Sequence, residues 1–168
     1  MKTHRRIAAL LTVAGTLAIV GTTSAPAHAS YYQIANYGSG LCAGIRSWEL
    51  YNNGATVVQQ RCTGAPEQLW ADVPLGGGYH RFVNGRSGMC MDVRDGQNAD
   101  WTPVQQWACA NYNGMSWLAT VPSWVPTQIK SGRGGRCLDV RGGSLQEGAV
   151  IQIYHCTSNN PAQLWTIT

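Results

Sequence analysis

After residue 30, apolar positions in this chain come in short runs. They do not recur at the three-and-four spacing of an amphipathic helix. Ile151-Gln152-Ile153-Tyr154 alternates apolar and polar, which predicts a half-buried strand. Clusters of Gly, Asn and Pro separate the runs and predict turns between short strands. The pattern is that of an all-β domain.

The opening segment differs. Lys2, Arg5 and Arg6 precede an apolar run from Ile7 to Val20, and Ala27-His28-Ala29 supplies a small-x-small ending. That is the form of a secretory signal peptide, 1–29, with cleavage expected after Ala29. An uncleaved membrane anchor is the alternative, but the run is short for the ~20 residues a span needs. The expected location is extracellular, with no membrane span once the leader is removed.

The remaining chain repeats itself. Cys42, Cys90 and Cys137 are 48 and 47 residues apart, and Trp70, Trp117 and Trp165 are 47 and 48 apart. Cys42-Ala43-Gly44-Ile45 parallels Cys90-Met91-Asp92-Val93 and Cys137-Leu138-Asp139-Val140. Gln68-Leu69-Trp70, Met115-Ser116-Trp117 and Gln163-Leu164-Trp165 close the copies. Units of this size cannot bury a core singly, so three are expected to pack together. The copies run at about 31–77, 78–124 and 125–168, within one domain at 30–168.

Six cysteines fall in that domain. Their spacings show one short gap per copy, which points to Cys42–Cys62, Cys90–Cys109 and Cys137–Cys156. An even count in an exported chain suits disulfides. A zinc site needs close C-x-x-C pairs, and there are none.

These words resemble the ricin-type β-trefoil lectins, also called family 13 carbohydrate-binding modules. The resemblance is carried by Cys-Leu-Asp-Val at 137–140, Cys-Met-Asp-Val at 90–93, and Gln-Leu-Trp at 68–70 and 163–165. It implies a β-trefoil of twelve short strands in three pseudo-symmetric repeats, each closing Trp lying in the core. It also implies carbohydrate as the partner, with galactose- or xylose-type sugars accepted.

A geometric reading leads the same way. If Cys137 faces Cys156 across antiparallel strands, stepping two residues inward pairs Asp139 with Tyr154 on one sheet face. The same step pairs Asp92 with Trp107, and Gly44 with Gln60. An ionised carboxylate accepts two sugar hydroxyls, while an aromatic ring covers the apolar C–H face. No shifted pKa is needed for that, so acid conditions are not expected to be required.

In the third copy the expected sugar-binding residues are Asp139, Gln152, Tyr154 and Gln163. The family usually places a sugar-binding Asn just before the closing Gln. Here that position is Ala162, so Asn159 or Asn160 is expected to substitute. In the second copy the set is Asp92, Gln105 and Trp107, with Asn113 reaching in because Gly114 holds the Asn position. The first copy has neither acceptor nor ring and is expected to serve closure of the fold alone. Trp48, Trp101 and Trp124 fall outside the repeat words. Trp101 reads as a locally packed loop residue, or else as an extension of the second site.

Composition and charge narrow the alternatives. Only 12% of residues are charged, which excludes a charge-laced coiled coil. The full chain has 12 basic and 8 acidic residues, but three of the basic ones sit in the leader. The basic balance therefore belongs to export. Arg133, Arg136 and Arg141 read as a solvated loop, not as a nucleic-acid face. His80 and His155 are the only histidines after the leader, and no G-x-S-x-G or H-E-x-x-H word occurs. A glycosidase needs two cooperating carboxylates, and Asp92 and Asp139 lie in separate copies. The expectation is a secreted lectin with no catalytic residues, cofactor or metal. A trefoil that binds protein instead of sugar is the alternative.

Overall fold

The computed structural model describes residues 30–168; the expected leader, 1–29, lies outside the described residues. The first copy contains β1 (Tyr31–Asn36), β2 (Cys42–Ile45), β3 (Val57–Gln60) and β4 (Leu69–Gly76). The second contains β5 (Tyr79–Asn84), β6 (Cys90–Val93), β7 (Thr102–Trp107) and β8 (Trp117–Leu118). Then follow β9 (Ser123–Thr127), β10 (Lys130–Ser131), β11 (Cys137–Val140), β12 (Ile151–Tyr154) and β13 (Trp165–Ile167).

Each copy centres on an antiparallel pair: β2 with β3, β6 with β7, and β11 with β12. The copies join at seams. β7 pairs with β12, and single bridges link Thr56 to Gln105 and Val58 to Val150. β1 pairs with β13, which ties the first copy to the last. This is a β-trefoil. Thirteen strands stand where twelve were expected. The extra one comes from the third copy, where the counterpart of β1 and β5 is split into β9 and β10; before it, pairing stops at Leu118 and resumes at Ser123. Pro122 and Pro126 lie around the restart and cannot donate to a ladder.

The repeated words have structural jobs. Trp70, Trp117 and Trp165 are fully buried at the centre. Their indole N–H groups donate to the carbonyls of Ala43, Met91 and Leu138 at 3.0, 3.1 and 2.9 Å. Each acceptor is the residue just after a repeat cysteine, so the two words of a copy recognise each other. A buried Trp contributes a large apolar surface, and its one donor is satisfied. The disulfides join Cys42–Cys62, Cys90–Cys109 and Cys137–Cys156, with Cα atoms 5.1, 5.0 and 5.1 Å apart.

One local expectation changes. Gln152 was read as the solvent-facing position of a half-buried strand, yet it is fully buried. Its amide meets Asp139 instead of water. Among the described residues, no helix is long and apolar enough to cross a membrane.

Candidate functional site

The strand register differs from the sequence reading by two residues. Asp139 directly opposes Gln152, and Tyr154 opposes Cys137. In the same way Asp92 opposes Gln105, Trp107 opposes Cys90, Gly44 opposes Val58 and Gln60 opposes Cys42. The reason lies in the disulfides. Cys62, Cys109 and Cys156 come after the ends of β3, β7 and β12, so each bridge runs from a strand to the chain beyond it. Parity survives a shift of two. Tyr154 stays on the face of Asp139 as its diagonal neighbour, a separation that a long ring spans.

In the third copy, Asp139, Gln152, Tyr154 and Asn160 line one hollow of about 300 Å³, together with Trp101, Gly142, Gly143 and Ala162. Gln152 Nε2 donates to Asp139 Oδ1 at 2.9 Å, and Gln163 Nε2 donates to Oδ2 at 3.1 Å. Gln152 Oε1 in turn accepts from Arg141 Nε at 2.7 Å. Both glutamines are fully buried. Gln152, which also lines the hollow, and Gln163, which does not, both donate to Asp139 and fix its orientation. Each carboxylate oxygen has two acceptor sites and has used one, so the carboxylate can accept more. Asn160 faces the hollow while its Oδ1 caps the N–H of Ala162 at 3.1 Å. Asn159 is exposed and outside the hollow. His155, expected to point away from Tyr154, packs its ring 4.2 Å from the Tyr154 centroid because the strand ends there.

Burial pushes the Asp139 carboxyl above the ordinary aspartate range of 3.8, against the pull of its two glutamine donors. The ionised form of Asp139 is therefore held against desolvation. The shift was not expected from sequence. It is a feature of functional carboxylates as well as of structural networks.

The second copy solves the same problem differently. Gln105 Nε2 donates to Asp92 Oδ2 at 2.8 Å. Met115 replaces the closing glutamine and cannot donate; its sulfur accepts from the Ala110 N–H, as Gln163 Oε1 accepts from Thr157 N–H. The missing donor to Asp92 Oδ1 is the Tyr112 hydroxyl. Tyr112 is the repeat equivalent of Asn160, 48 residues earlier, and Gly114 leaves space for its ring. Sequence reasoning missed Tyr112 and named Asn113, which lines a different hollow beside Tyr79. Asp92, Gln105, Trp107, Tyr112 and Asp95 share one hollow of about 440 Å³. Burial raises the Asp92 pKa too, and raises that of Tyr112. Tyr112→Phe is expected to lower stability by about 1–3 kcal/mol, because a buried carboxylate oxygen loses a charge-assisted bond. Thermal melts at neutral pH check it; an unchanged Tm contradicts this role for the hydroxyl.

The first copy has no carboxylate to hold. Gln68 Nε2 donates to Gln60 Oε1 at 3.1 Å, in the role that Gln163 plays toward Asp139. A Cβ at Gly44 would lie 3.0 Å from Gln68 Cγ, so the pair fills the space. A cleft of about 610 Å³ does open there, lined by Arg46, Trp48 and Arg61 among others. Trp48 is exposed under the Arg46 guanidinium, and Trp124 is exposed on β9. His80 bonds Asp72 at 2.7 Å and stacks on Phe82, and it lines none of these three hollows.

The first and third hollows are lined by residues of two copies, and the second, lined by its own copy, lies beside a seam. Arg46, Arg94 and Arg141 each reach the carbonyl of an adjoining copy: Gly148 at 3.3 Å, Gly54 at 3.1 Å and Trp101 at 3.0 Å. Arg133 reaches Gly96 O at 2.7 Å, and Arg136 sits 3.3 Å from Asp100. These arginines were read as a solvated loop; the structure uses them as ties between copies. Trp101 therefore belongs to the third hollow, and neither packs within its own loop nor extends the second site.

Comparison with known proteins agrees with the fold. The family model for the ricin-type beta-trefoil lectin domain-like group matches residues 19–107 and 119–168. Nigrin b from Sambucus nigra is 41% identical over 39 residues, which are 23% of this chain and 7% of its own length. The designed 3-fold symmetric protein ThreeFoil superimposes with a TM-score of 0.77 at 25% identity, covering 82% of this chain and 97% of that one. An exo-beta-1,3-galactanase from Clostridium thermocellum also gives 0.77, at 28% identity, over 85% of this chain and 30% of its own. The chain thus spans a small part of Nigrin b and under a third of the galactanase.

Proposed function

The chain belongs to the ricin-type β-trefoil lectin domain family, and from that premise we propose that it is a secreted lectin. It binds galactose- or xylose-type sugars, or polysaccharides built from them, through the hollows of the second and third copies. One observation carries the reading most: Asp139, buried at 5% exposure, is held by two glutamine amides at the floor of an open hollow with an aromatic wall. A folded chain has little reason to keep an ionised group against desolvation unless the group is used.

At the third hollow the chemistry is binding without turnover. Among the residues lining the third hollow, Asp139 is the one carboxylate, and a glycosidase needs two. Asp139 accepts vicinal hydroxyls, and a ring covers the apolar sugar face at about 25 cal/mol per Å². A galactose-type ligand is in keeping with the relative named as a galactanase. Export is supported by the leader-like segment and by three disulfides, which persist in oxidising compartments.

Such shallow sites give a Kd near 1 mM, about −4 kcal/mol, for a single sugar. Two working sites on one rigid body raise avidity for a polymer by about 10²–10⁴. Calorimetry with galactose and xylose against the matching polysaccharides checks this. Purified protein retained on galactose or xylan resin and released by free sugar supports the lectin. Equal affinity for polymer and monomer counts against two working sites.

A further inference from the structure

Two positions equivalent to Trp101 lie 47 residues to either side, Gly54 and Gly148. All three have left-handed backbone, with φ of +86° at Gly54, +68° at Trp101 and +82° at Gly148. Glycine adopts that conformation freely, whereas a bulky side chain there is an outlier that the surroundings must enforce. Strain of this kind gathers at ligand sites.

The surroundings that enforce it are on the neighbouring copy. Asp100 accepts the His155 backbone N–H through Oδ1 at 2.8 Å, its Oδ2 lies 2.8 Å from His155 Nδ1, and Arg136 flanks it at 3.3 Å. Arg141 Nη2 donates to the Trp101 carbonyl at 3.0 Å. The turn of the second copy is thus clamped onto the third, and it carries the indole into the hollow of Asp139.

The two rings of that hollow are not equal. Tyr154 is half-buried, with His155 at 4.2 Å and Trp101 at 4.7 Å from its centroid. A sugar between the two rings would need about 7–8 Å, twice the optimal carbon contact. At 4.7 Å and 66° the rings touch edge to face and exclude a sandwich. Trp101 is 55% exposed and offers the larger open face.

We infer that Trp101, although it belongs to the second copy, supplies the main sugar-stacking face of the third-copy site, with Tyr154 as its buttress. The inference rests on the sugar-binding reading above. The third-copy site is then a shared site, with acceptor from one repeat and platform from another.

Trp101→Gly tests it, because glycine is the residue at both equivalent positions and fits the backbone. Trp101→Asn is the second variant, since Asn also tolerates this conformation. Both are made in an Asp92→Ala background so that only the third-copy site is read. Retention on galactose and xylan resins and titration with the soluble sugars give affinity; thermal melts give stability. The expected result is at least about a tenfold loss of affinity, from the apolar area uncovered, with Tm equal to or above that of the parent. Affinity unchanged in Trp101→Gly overturns this inference alone, and so does a lowered Tm with intact binding by the folded protein. Asp139→Ala runs alongside as the control for the site itself. A wild-type chain that binds neither resin overturns the sugar reading and this inference with it.

Discussion

Reduction of the three disulfides unfolds this protein under otherwise native conditions. Each bridge closes a loop of 19 or 20 residues. In the chain-entropy model, loops of that length are worth roughly 3 kcal/mol each. Three together match a typical domain stability of about 5–15 kcal/mol. The bridges also hold the chain where it leaves β3, β7 and β12, which is where Tyr154 and Trp107 stand. Cys137→Ala with Cys156→Ala is expected to lower Tm and to weaken the third site selectively, by freeing that exit. Circular dichroism with and without reductant decides the larger claim; a reduced protein that melts cooperatively near the oxidised Tm would falsify it.

Asp139→Ala removes sugar binding at the third site and leaves a folded protein. The carboxylate is the charged acceptor of that hollow, and hydrogen bonds to a charged group are worth about 1.5–3 kcal/mol, a loss of roughly 10- to 100-fold. Stability changes little because two effects oppose. Gln152 loses the acceptor of its amide, while Gln163 keeps the His155 carbonyl at 2.9 Å. Against that, an ionised buried group is removed. The sign follows from its raised pKa. The neutral acid is favoured by the fold, so its contribution is full below the ordinary value of 3.8 and is lost as pH rises through the folded pKa. At neutral pH, Asp139 therefore costs stability. Binding runs the other way, since the ionised form accepts hydroxyls. Affinity is full at neutral pH and falls in acid sooner than for an ordinary aspartate. Titrations from pH 7 downward on wild type and mutant read both; binding that stays flat to pH 3.8, or a mutant that binds like wild type, sinks the assignment.

The sequence made the periodic features legible and hid the ones that cross between copies. Cysteine spacing revealed the bridges, and the recurrent Trp marked the core, because both act within one repeat. The register was off by two since a disulfide need not join directly opposed residues; Cys156 lies past its strand. The Tyr112 hydroxyl was missed, although a signal existed. Met115 cannot donate where Gln163 does, so Asp92 needed another donor nearby. Trp101 was placed with the wrong copy because a chain read repeat by repeat does not show its seams. Its substitution for a glycine at 47-residue spacing was the available clue. The raised carboxyl pKa values were hidden for a related reason: they depend on how deeply each Asp is buried, which spacing does not report.

Seam construction makes occupancy a gauge of ring closure. The third pocket is not finished within one repeat: it takes Trp101 and the Asp100 turn from the second, while the second pocket, lined by its own repeat, is braced from the first by Asn53, whose Oδ1 accepts the Ala108 N–H at 2.8 Å. A folding intermediate in which the second and third repeats are undocked from each other lacks the complete third pocket. Bound sugar then acts as a keystone, selecting the closed ring over partly opened forms by RT ln(1 + [L]/Kd). For millimolar sites that bias is negligible with free sugar and becomes appreciable on a dense polymer. The surface that the protein grips would thereby also keep it folded.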